Sequence, residues 1–201
     1  TLMSINKFAV SVALAGILGA SSALAENEGS FVGLQFGSAS IESTTTFTYD
    51  AGGSISATGT ASKSRFGVVY GSYAPINEEM GYRIYGFADL GDDLYNFNAN
   101  ADFLYTFVKF EKAELRGFAG AYAGAVIGTG FKVDNKDQIF WGIDAGINAG
   151  LRVVLLEKHG IEAFYRFGIL TPETEWTSET GNKAKVGIKQ SLAGIRYTIS
   201  F

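Results

Sequence analysis

A regular alternation of apolar residues with small or polar residues runs from residue 141 to residue 153. The first set is Trp141, Ile143, Ala145, Ile147, Ala149, Leu151 and Val153, and the second is Gly142, Asp144, Gly146, Asn148, Gly150 and Arg152. Successive side chains of an extended strand point to opposite faces, whereas a helix repeats every 3.6 residues. The segment therefore predicts a strand with one apolar face. It is long enough to cross a bilayer, which takes a tilted strand about 9 to 11 residues.

Seven further segments show the same period. They are residues 32–37, 65–71, 82–90, 97–107, 115–127, 161–169 and 194–201. With residues 141–153 they make eight, and an even number of strands brings both ends of a barrel to the same side. The sequence thus predicts an all-β fold, a transmembrane antiparallel up-and-down β-barrel of eight strands.

One of these segments also has the spacing of a helix-packing motif. Gly120, Gly124 and Gly128 are four residues apart within an apolar stretch, as in packed membrane helices. The stretch is short for a spanning helix, and its neighbours all alternate with period two. We therefore interpret it as a strand, in which small residues leave room beside Phe118 and Tyr122.

The connections between the segments alternate in length. Short polar turns are expected near 74–80, 109–114 and 155–160. Longer connections are expected near 42–63, 128–139 and 171–185, with a compact one at 90–96. Short turns on one side and long loops on the other are typical of outer-membrane barrels, whose short turns face the periplasm.

The first residues have the pattern of a secretory signal peptide. Lys7 precedes an apolar stretch from Phe8 to Gly19, and Ala23-Leu24-Ala25 offers small residues for cleavage. We predict a signal peptide over residues 1–25, with a two-residue extension before Met3, and a barrel domain over residues 26–201. A membrane anchor is the alternative, but the stretch is short and polar residues follow it at once.

Composition excludes several classes of partner and site. The net charge is −4 and no cluster of Lys or Arg is present, so a nucleic-acid partner is not expected. The chain has no cysteine, which excludes disulfides and a lipid-modified cysteine. We find no cofactor motif and no metal-ligand pattern, and we interpret the acidic pairs Asp92-Asp93 and Asp134/Asp137 as solvated loop residues rather than a cation site.

All six arginines of the chain lie on the face opposite the apolar one, and four carboxylates share that face. This predicted ionic network of the lumen comprises Arg65, Arg83, Asp89, Asp102, Arg116, Asp144, Arg152, Glu162, Arg166 and Arg196. An arginine facing lipid at the bilayer midplane costs about 2 to 4 kcal/mol. An eight-stranded barrel is just wide enough to fill with side chains, which favours a plugged barrel. A narrow path for water or small ions is the alternative.

Aromatic residues of the apolar face are candidates for the interfacial girdle, since amphipathic rings favour the headgroup level. They are expected within a residue or two of strand ends and comprise Tyr70, Tyr82, Tyr105, Trp141, Tyr165 and Tyr197. Trp176 is expected in an outer loop instead, as an exposed contact or a loop-packing residue.

The last residues, "RYTISF", place Tyr197, Ile199 and Phe201 at alternate positions. Together with the eight segments, they resemble the small outer-membrane β-barrel families of Gram-negative bacteria, such as the OmpA membrane domain and OmpX. The resemblance covers residues 31–201. It implies an integral outer-membrane location reached through the periplasm and an assembly signal at these three residues, read by the barrel-assembly machinery. It also implies contact with lipopolysaccharide and a monomeric state.

Residues 41–64 are rich in Ser and Thr, with Gly52-Gly53 in a turn at Asp50–Ser54. A solvated ribbon is one interpretation, and a protruding hairpin that binds a surface ligand, as the resemblance implies, is the other. The only histidine, His159, is expected in a periplasmic turn, on the wrong side for catalysis at the outer leaflet. We therefore predict no enzyme, but a structural or adhesion-like surface role. A narrow channel is the alternative, and a lipid A-modifying enzyme is the more distant one.

Overall fold

The computed structural model describes residues 29–91, 93–133, 136–178 and 180–201. Within these ranges no helix is long and apolar enough to cross a bilayer, and the described chain forms nine strands. They are β1 (Ser30–Thr48), β2 (Ser54–Pro75), β3 (Met80–Leu90), β4 (Leu94–Lys109), β5 (Ala113–Val133), β6 (Lys136–Leu155), β7 (His159–Gly168), β8 (Glu173–Thr177) and β9 (Lys183–Ser200). The predicted signal peptide lies outside the described residues.

Eight of the strands close into a ring. Each of β1 to β6 pairs antiparallel with the next strand along the chain, β7 pairs with β9, and β9 pairs with β1. Closure gives every strand of the ring two neighbours over part of its length, so the backbone N–H and C=O groups there are paired within the sheet. The predicted eight-stranded up-and-down barrel is confirmed.

The ninth strand, β8, follows a short break after β7. Strand β9 pairs with β7 from Ile199 to Ser191 and with β8 from Gly187 to Lys183. The break contains Pro172, which has no N–H to donate to a ladder. The predicted long connection over 171–185 is wrong, because Glu173–Thr177 pairs with Lys183–Gly187 as two strands. Two cross-strand ion pairs link these strands, Glu175 with Lys183 at 2.9 Å and Glu173 with Lys185 at 2.6 Å.

The two ends of the barrel differ in their connections. At one end, which we call the turn end, β2–β3, β4–β5 and β6–β7 are joined by residues 76–79, 110–112 and 156–158. In the last of these, Leu156 and Glu157 both have positive φ, 52° and 63°. Residues other than glycine rarely adopt a positive φ, so this turn, which has two of them in succession, carries backbone strain.

At the opposite end, the hairpin end, strands continue where long loops were expected. Strands β1 and β2 stay in register to Thr48 opposite Ser54, and β5 and β6 pair to Val133 opposite Lys136. The predicted connection at 128–139 is wrong, and residues 42–63 form an ordered hairpin. Above the apolar band, residues 54–64 of β2 are exposed on both faces. The apolar–polar alternation that marks a half-buried strand is therefore lost in that part of β2.

The two faces of the barrel wall follow the predicted parity. Outward side chains such as Ile143, Ile147, Leu151 and Ile195 are more than half exposed, although they are apolar. The lumen holds two apolar clusters. One contains Phe31, Ala39, Val69, Tyr85, Phe87, Leu104, Phe118, Phe164 and Leu192. The second, which we call the upper cluster, contains Leu94, Val126, Phe140, Val186 and Ile188, with Ile41, Phe131 and Trp176 packed against it.

Glycines on β6 make room for aromatic side chains on β5. A Cβ atom at Gly150 would lie 2.6 Å from Cζ of Phe118, and one at Gly146 would lie 2.8 Å from Cε1 of Tyr122. The Cβ of Gly150 would also overlap the backbone carbonyl oxygen of Ala163. Because the neighbouring backbone is fixed by the sheet, these two positions need glycine for steric reasons.

We expect Gly150→Ala to lower the free energy of unfolding by about 1 to 3 kcal/mol, the usual cost of overpacking a filled interior. The matched control is Gly59→Ala on β2, where a Cβ would have nothing within 4 Å. Alanine there should be neutral or stabilise by about 0.5 to 1 kcal/mol. Urea unfolding of the barrel in vesicles measures both, and equal midpoints would contradict this packing.

Candidate functional site

Glu162 is the centre of the charged lumen. Its side chain, on β7, is fully buried. Its cross-strand neighbours are Arg152 on β6 and Arg196 on β9, so the register alone brings two guanidinium groups to it. Arg83 reaches it from β3, across the lumen. Arg83 Nη2 and Arg196 Nη1 each lie 3.1 Å from Glu162 Oε2, while Arg83 and Arg152 both contact Oε1.

A second carboxylate balances part of this positive charge. Asp102 on β4 is the cross-strand neighbour of Arg83, and its Oδ2 lies 2.8 Å from Nε and Nη2 of Arg83. The other oxygen, Oδ1, accepts a hydrogen bond of 2.8 Å from Asn148 Nδ2. We call Arg83, Asp102, Arg152, Glu162 and Arg196 the Glu162 network.

Neutral side chains complete the Glu162 network. Gln35 Oε1 accepts hydrogen bonds from Arg196 Nε and Nη2, at 3.2 and 3.0 Å. Tyr85 Oη lies 3.0 Å from Asn148 Nδ2 and 3.3 Å from Arg196 Nη1. Gln35, Asn148 and Tyr85 were not among the predicted network residues. Their position on the lumen face of their strands was the signal that could have included them.

Aromatic rings cover the faces of the same guanidinium groups. Arg83 Cζ lies 4.4 Å from the centroid of Phe118, and Arg196 Cζ lies 4.8 Å from Phe164 and 4.9 Å from Tyr85. Such cation–π contacts add about 0.5 to 2 kcal/mol, more when they are desolvated. The arginines thus have partners both in the plane of the guanidinium and above it.

Four of the five remaining predicted charges form a second group, nearer the hairpin end, and they are Arg65, Asp89, Asp144 and Arg166. Arg65 Nη1 lies 3.4 Å from Asp89 Oδ1 and contacts the carbonyl oxygen of Leu94. Gln190 Nε2 donates to Asn96 Oδ1 at 2.6 Å and is 3.5 Å from Asp144 Oδ2.

Arg166 belongs to this second group by position, but aromatic rings are its main neighbours. Its Cζ lies 3.9 Å from the centroid of Tyr122 and 4.5 Å from that of Phe87. It borders a cavity of about 20 Å³ that Asn98 and Asp144 also line. In the described part of the chain, Arg166 Nε and both ends of the Asn98 amide have no hydrogen-bond partner. A polar cavity of this size has room for a single water molecule.

Arg116 lies apart from both groups. Its side chain is about one-sixth exposed, near the turn end, and pairs with Glu114 of its own strand. It also covers the ring of Tyr73 at 5.1 Å. The structure therefore divides the predicted lumen residues into the Glu162 network, the group around Arg65 and Asp89, and Arg116 at the mouth.

The girdle candidates face outward but are not at strand ends. Tyr82 lies two residues inside its strand. The others lie three to five residues inside theirs, namely Tyr70, Tyr105, Trp141, Tyr165 and Tyr197. The expectation that these five rings lie within a residue or two of a strand end is wrong, because the strands continue beyond the segments that alternate. Tyr70 is also less exposed than the others.

Two predicted loop residues lie in strands. His159 is the first residue of β7 rather than a turn residue, and its Nδ1 lies 2.7 Å from the hydroxyl of Tyr197, whose ring stacks on the imidazole. Trp176 lies in β8, where its ring stacks on Phe131 with centroids 5.8 Å apart. Of the two interpretations left open for Trp176, the structure supports packing, with the side chain half-buried.

The predicted assembly-signal residues lie in the last strand and just after it. Tyr197 and Ile199 face outward, and the backbone N–H of Phe201 donates to the carbonyl of Ser30 at 2.9 Å. Their recognition by assembly machinery stays a prediction. Asp92 and Asp134 of the acidic loops lie outside the described residues.

At the hairpin end, β1, β2 and β9 extend beyond the neighbouring hairpin of β3 and β4. We call residues 41–64, 173–177 and 183–190 the extended wall. Strand β1 pairs with β2 on one side and with β9 on the other, up to Thr48. Strand β3, in contrast, pairs with β2 only as far as Leu90 opposite Phe66. Residues 54–64 of β2 are exposed throughout and, in the described chain, pair with β1 alone.

The chain is similar in fold to solved bacterial outer-membrane barrels. The outer membrane protein OprG of Pseudomonas aeruginosa aligns with a TM-score of 0.50 at 13% identity, over 85% of this chain and 96% of that one. Neisserial surface protein A aligns at 0.47 and 11%, over 85% and 97%. The attachment invasion locus protein Ail of Yersinia pestis aligns at 0.36 and 16%, over 86% and 99%. No family model and no curated sequence matches.

We expect Glu162→Gln to lower the free energy of unfolding by about 3 to 5 kcal/mol, because it leaves three buried guanidinium groups around a neutral amide. The matched control, Glu175→Gln, removes a carboxylate whose ion pair with Lys183 is about half exposed. That change should cost at most about 1 kcal/mol. Urea titration from vesicles measures both, and similar midpoints would show that Glu162 does not hold the network together.

Proposed function

We propose that this chain, which has the fold of the small outer-membrane β-barrels, is an integral outer-membrane protein that acts by contact at the cell surface through its extended wall. Its lumen is filled and serves as structure. The observation that carries the proposal is the unpaired edge of β2 at residues 54–64, which stands at the hairpin end of the barrel.

The composition of this edge favours pairing with another strand. Proteins protect exposed edges with charges, prolines or bulges, but Lys63 is the one charged residue of residues 54–64, and residues 54–62 read SISATGTAS, without charge or proline. The pairing of β2 with β1 shows no register shift. An edge of this kind can accept an added strand from a partner, with main-chain hydrogen bonds for affinity and alternate side chains for specificity.

Side-chain contacts keep the extended wall in one shape. The hydroxyls of Thr44 and Thr58 are 3.1 Å apart, and those of Thr46 and Ser56 are 2.8 Å apart. The backbone N–H of Asp50 donates to Asn182 Oδ1 at 3.1 Å, which ties the tip of the hairpin to the chain before β9. A preorganised edge costs less entropy on binding than a disordered loop does.

The contents of the lumen support a structural role over a channel. The Glu162 network and its aromatic neighbours occupy the section nearer the turn end, and the upper cluster occupies the section nearer the hairpin end. Buried charges that are mutually paired give a stable plug, and moving one of them out of its pair is costly.

The position of His159 supports a role without catalysis. Its imidazole stacks on Tyr197, on the outward face at the turn end, far from the hairpin end where a surface substrate would arrive. General acid–base catalysis requires hydrogen-bond contact with the substrate. Insertion by the barrel-assembly machinery, contact with lipopolysaccharide and a monomeric state belong to the same proposal.

The test of the surface role is adhesion of fluorescent proteoliposomes to cultured epithelial cells. A shortened variant replaces residues 45–57 with Asn-Gly, so that the neighbours Thr44 and Thr58 are joined by a tight turn. We expect the wild-type barrel to bind several-fold above protein-free liposomes. The shortened barrel should fall to the protein-free level while it keeps its heat-modifiable gel migration.

A matched pair of single substitutions separates the edge from general charge effects. Ala57→Lys adds a charge to the edge strand, and Ala51→Lys adds the same charge in the exposed turn at the tip. Edge pairing predicts that only the first reduces binding, since a lysine on an edge strand opposes strand addition. Equal binding by the shortened barrel, or equal loss from both lysines, would overturn the proposal.

The filled lumen predicts that the barrel does not conduct ions across planar bilayers. We expect no reproducible single-channel steps from the folded chain of residues 26–201, in bilayers where a porin conducts. Regular steps that change in size when Arg152 is replaced by Gln would instead assign the Glu162 network to a narrow ion path.

A further inference from the structure

The wall of the barrel has a gap at the hairpin end. Strands β3 and β4 are joined at residues 91–93, so their hairpin ends before the neighbouring strands β2 and β5 do. Beyond the rung of Phe66 and Leu90, β2 continues to residue 54. Beyond the rung of Leu94 and Gly128, β5 continues to residue 133. Between these two extensions no described strand completes the sheet.

An apolar cleft of about 340 Å³ fills this gap. Its floor is formed by Leu94, Phe131 and Ile188 of the upper cluster, beside Ile41. This volume lies within the range of small-ligand pockets, about 300 to 1,000 Å³, which are mostly apolar with a few polar groups. The cleft therefore has the size and lining of a binding site for a small, mainly apolar molecule.

The polar groups of the cleft lie at its rim. Lys63 and Thr60 contribute from β2, Thr129 from β5 and Asp93 from the β3–β4 connection. Arg65 lies below them and is engaged by Asp89 and by the carbonyl of Leu94. An amphiphile could thus place its apolar part on the floor and a charged end beside Lys63.

The cleft begins beside the lipid-facing surface of the barrel. Phe66 and Leu90 form the last rung below the gap, and their side chains are 48% and 43% exposed on the outward face. Arg65, the neighbour of Phe66 in β2, already lines the cleft.

We propose that this cleft binds a single-chain anionic amphiphile of the fatty-acid type, with its alkyl chain against Leu94, Phe131 and Ile188 and its carboxylate beside Lys63. This cleft borders the same stretch of β2 that carries the proposed surface role, but its ligand is held by side chains rather than by the main-chain groups of the edge. The inference rests on the membrane location of the barrel but not on adhesion.

The chain carries a natural reporter for this site. Trp176 stacks on Phe131, which lines the cleft. The only other tryptophan, Trp141, is 65% exposed on the lipid-facing side. In a Trp141→Phe background, the indole fluorescence therefore comes from Trp176 alone.

The test is quenching of Trp176 by 11-bromoundecanoic acid, with the barrel in nanodiscs of unbrominated phosphatidylcholine. We expect saturable quenching that undecanoic acid reverses by competition. 11-Bromo-1-undecanol should need at least tenfold higher concentration, because it lacks the carboxylate that Lys63 attracts. Equal quenching by the alcohol would overturn the anionic part of the proposal.

Two alanines of β2 provide a matched pair of variants. Ala61 lines the cleft, whereas Ala57 lies four residues further along on the same side of the strand. Ala61→Phe should fill the cleft and raise the half-saturating concentration at least tenfold, while Ala57→Phe should leave it unchanged. Gly59→Phe offers a second way to fill the cleft if the first variant does not fold, since a Cβ there meets nothing within 4 Å.

Quenching that rises linearly with concentration, and equally in both alanine variants, would show partition into the bilayer and overturn the proposal. Absence of quenching in the folded Trp141→Phe barrel would overturn it as well. The shortened barrel lacks only residues 45–57, none of which lines the cleft, so its loss of adhesion bears on the proposed surface role and its quenching bears on this site.

Discussion

A strand in a bilayer must pair its backbone on both sides, because lipid offers no hydrogen-bond partners. In this chain the pairing of β1 with β9 closes the sheet and meets that requirement. Closure with eight strands leaves a narrow interior. Each inward residue therefore has to fit against residues from strands that are distant in sequence. The contents of the lumen follow from this constraint.

The Glu162 network is one solution to that problem. Charged residues on the inward face avoid lipid but lose water, so they need partners within the barrel. Register supplies some of them, as for Glu162 with Arg152 and Arg196. Others come across the lumen, as Arg83 does. Aromatic rings above the guanidinium groups and glycines beside the rings complete the packing. Charge, aromatic and glycine positions are therefore coupled.

Unequal strand lengths produce both the unpaired edge of β2 and the cleft at the hairpin end. Strands β1, β2 and β9 rise together as the extended wall, while β3 and β4 end early. The same difference creates the unpaired edge of β2 and the cleft beside it. The edge exposes main-chain groups that suit another strand, and the cleft exposes apolar side chains that suit an alkyl chain. Two different surfaces thus arise from one irregularity in the barrel.

The sequence by itself determined which residues face inward and which face outward, because period-two alternation is a local property of a strand that crosses between two solvents. It therefore predicted the barrel, the eight strands and the inward position of the arginines. It did not predict the strands at 128–139 and 171–185, and it left the environment of Trp176 open. Residues 54–64 of β2 are exposed on both faces and lack the pattern. In β8 and the start of β9 the alternation is reversed, because Trp176, Ala184 and Val186 turn inward while the charged residues between them turn outward.

Only the tertiary structure decided which inward residues meet. Parity cannot show that Arg83 joins Glu162, that Arg166 lies on Tyr122 and Phe87, or that Arg116 stays at the mouth with Glu114. Such contacts depend on the stagger of strands around the closed ring and on distances across the lumen. The gap beside β2 depends likewise on the relative heights of neighbouring strands, a relation between segments that no single segment encodes.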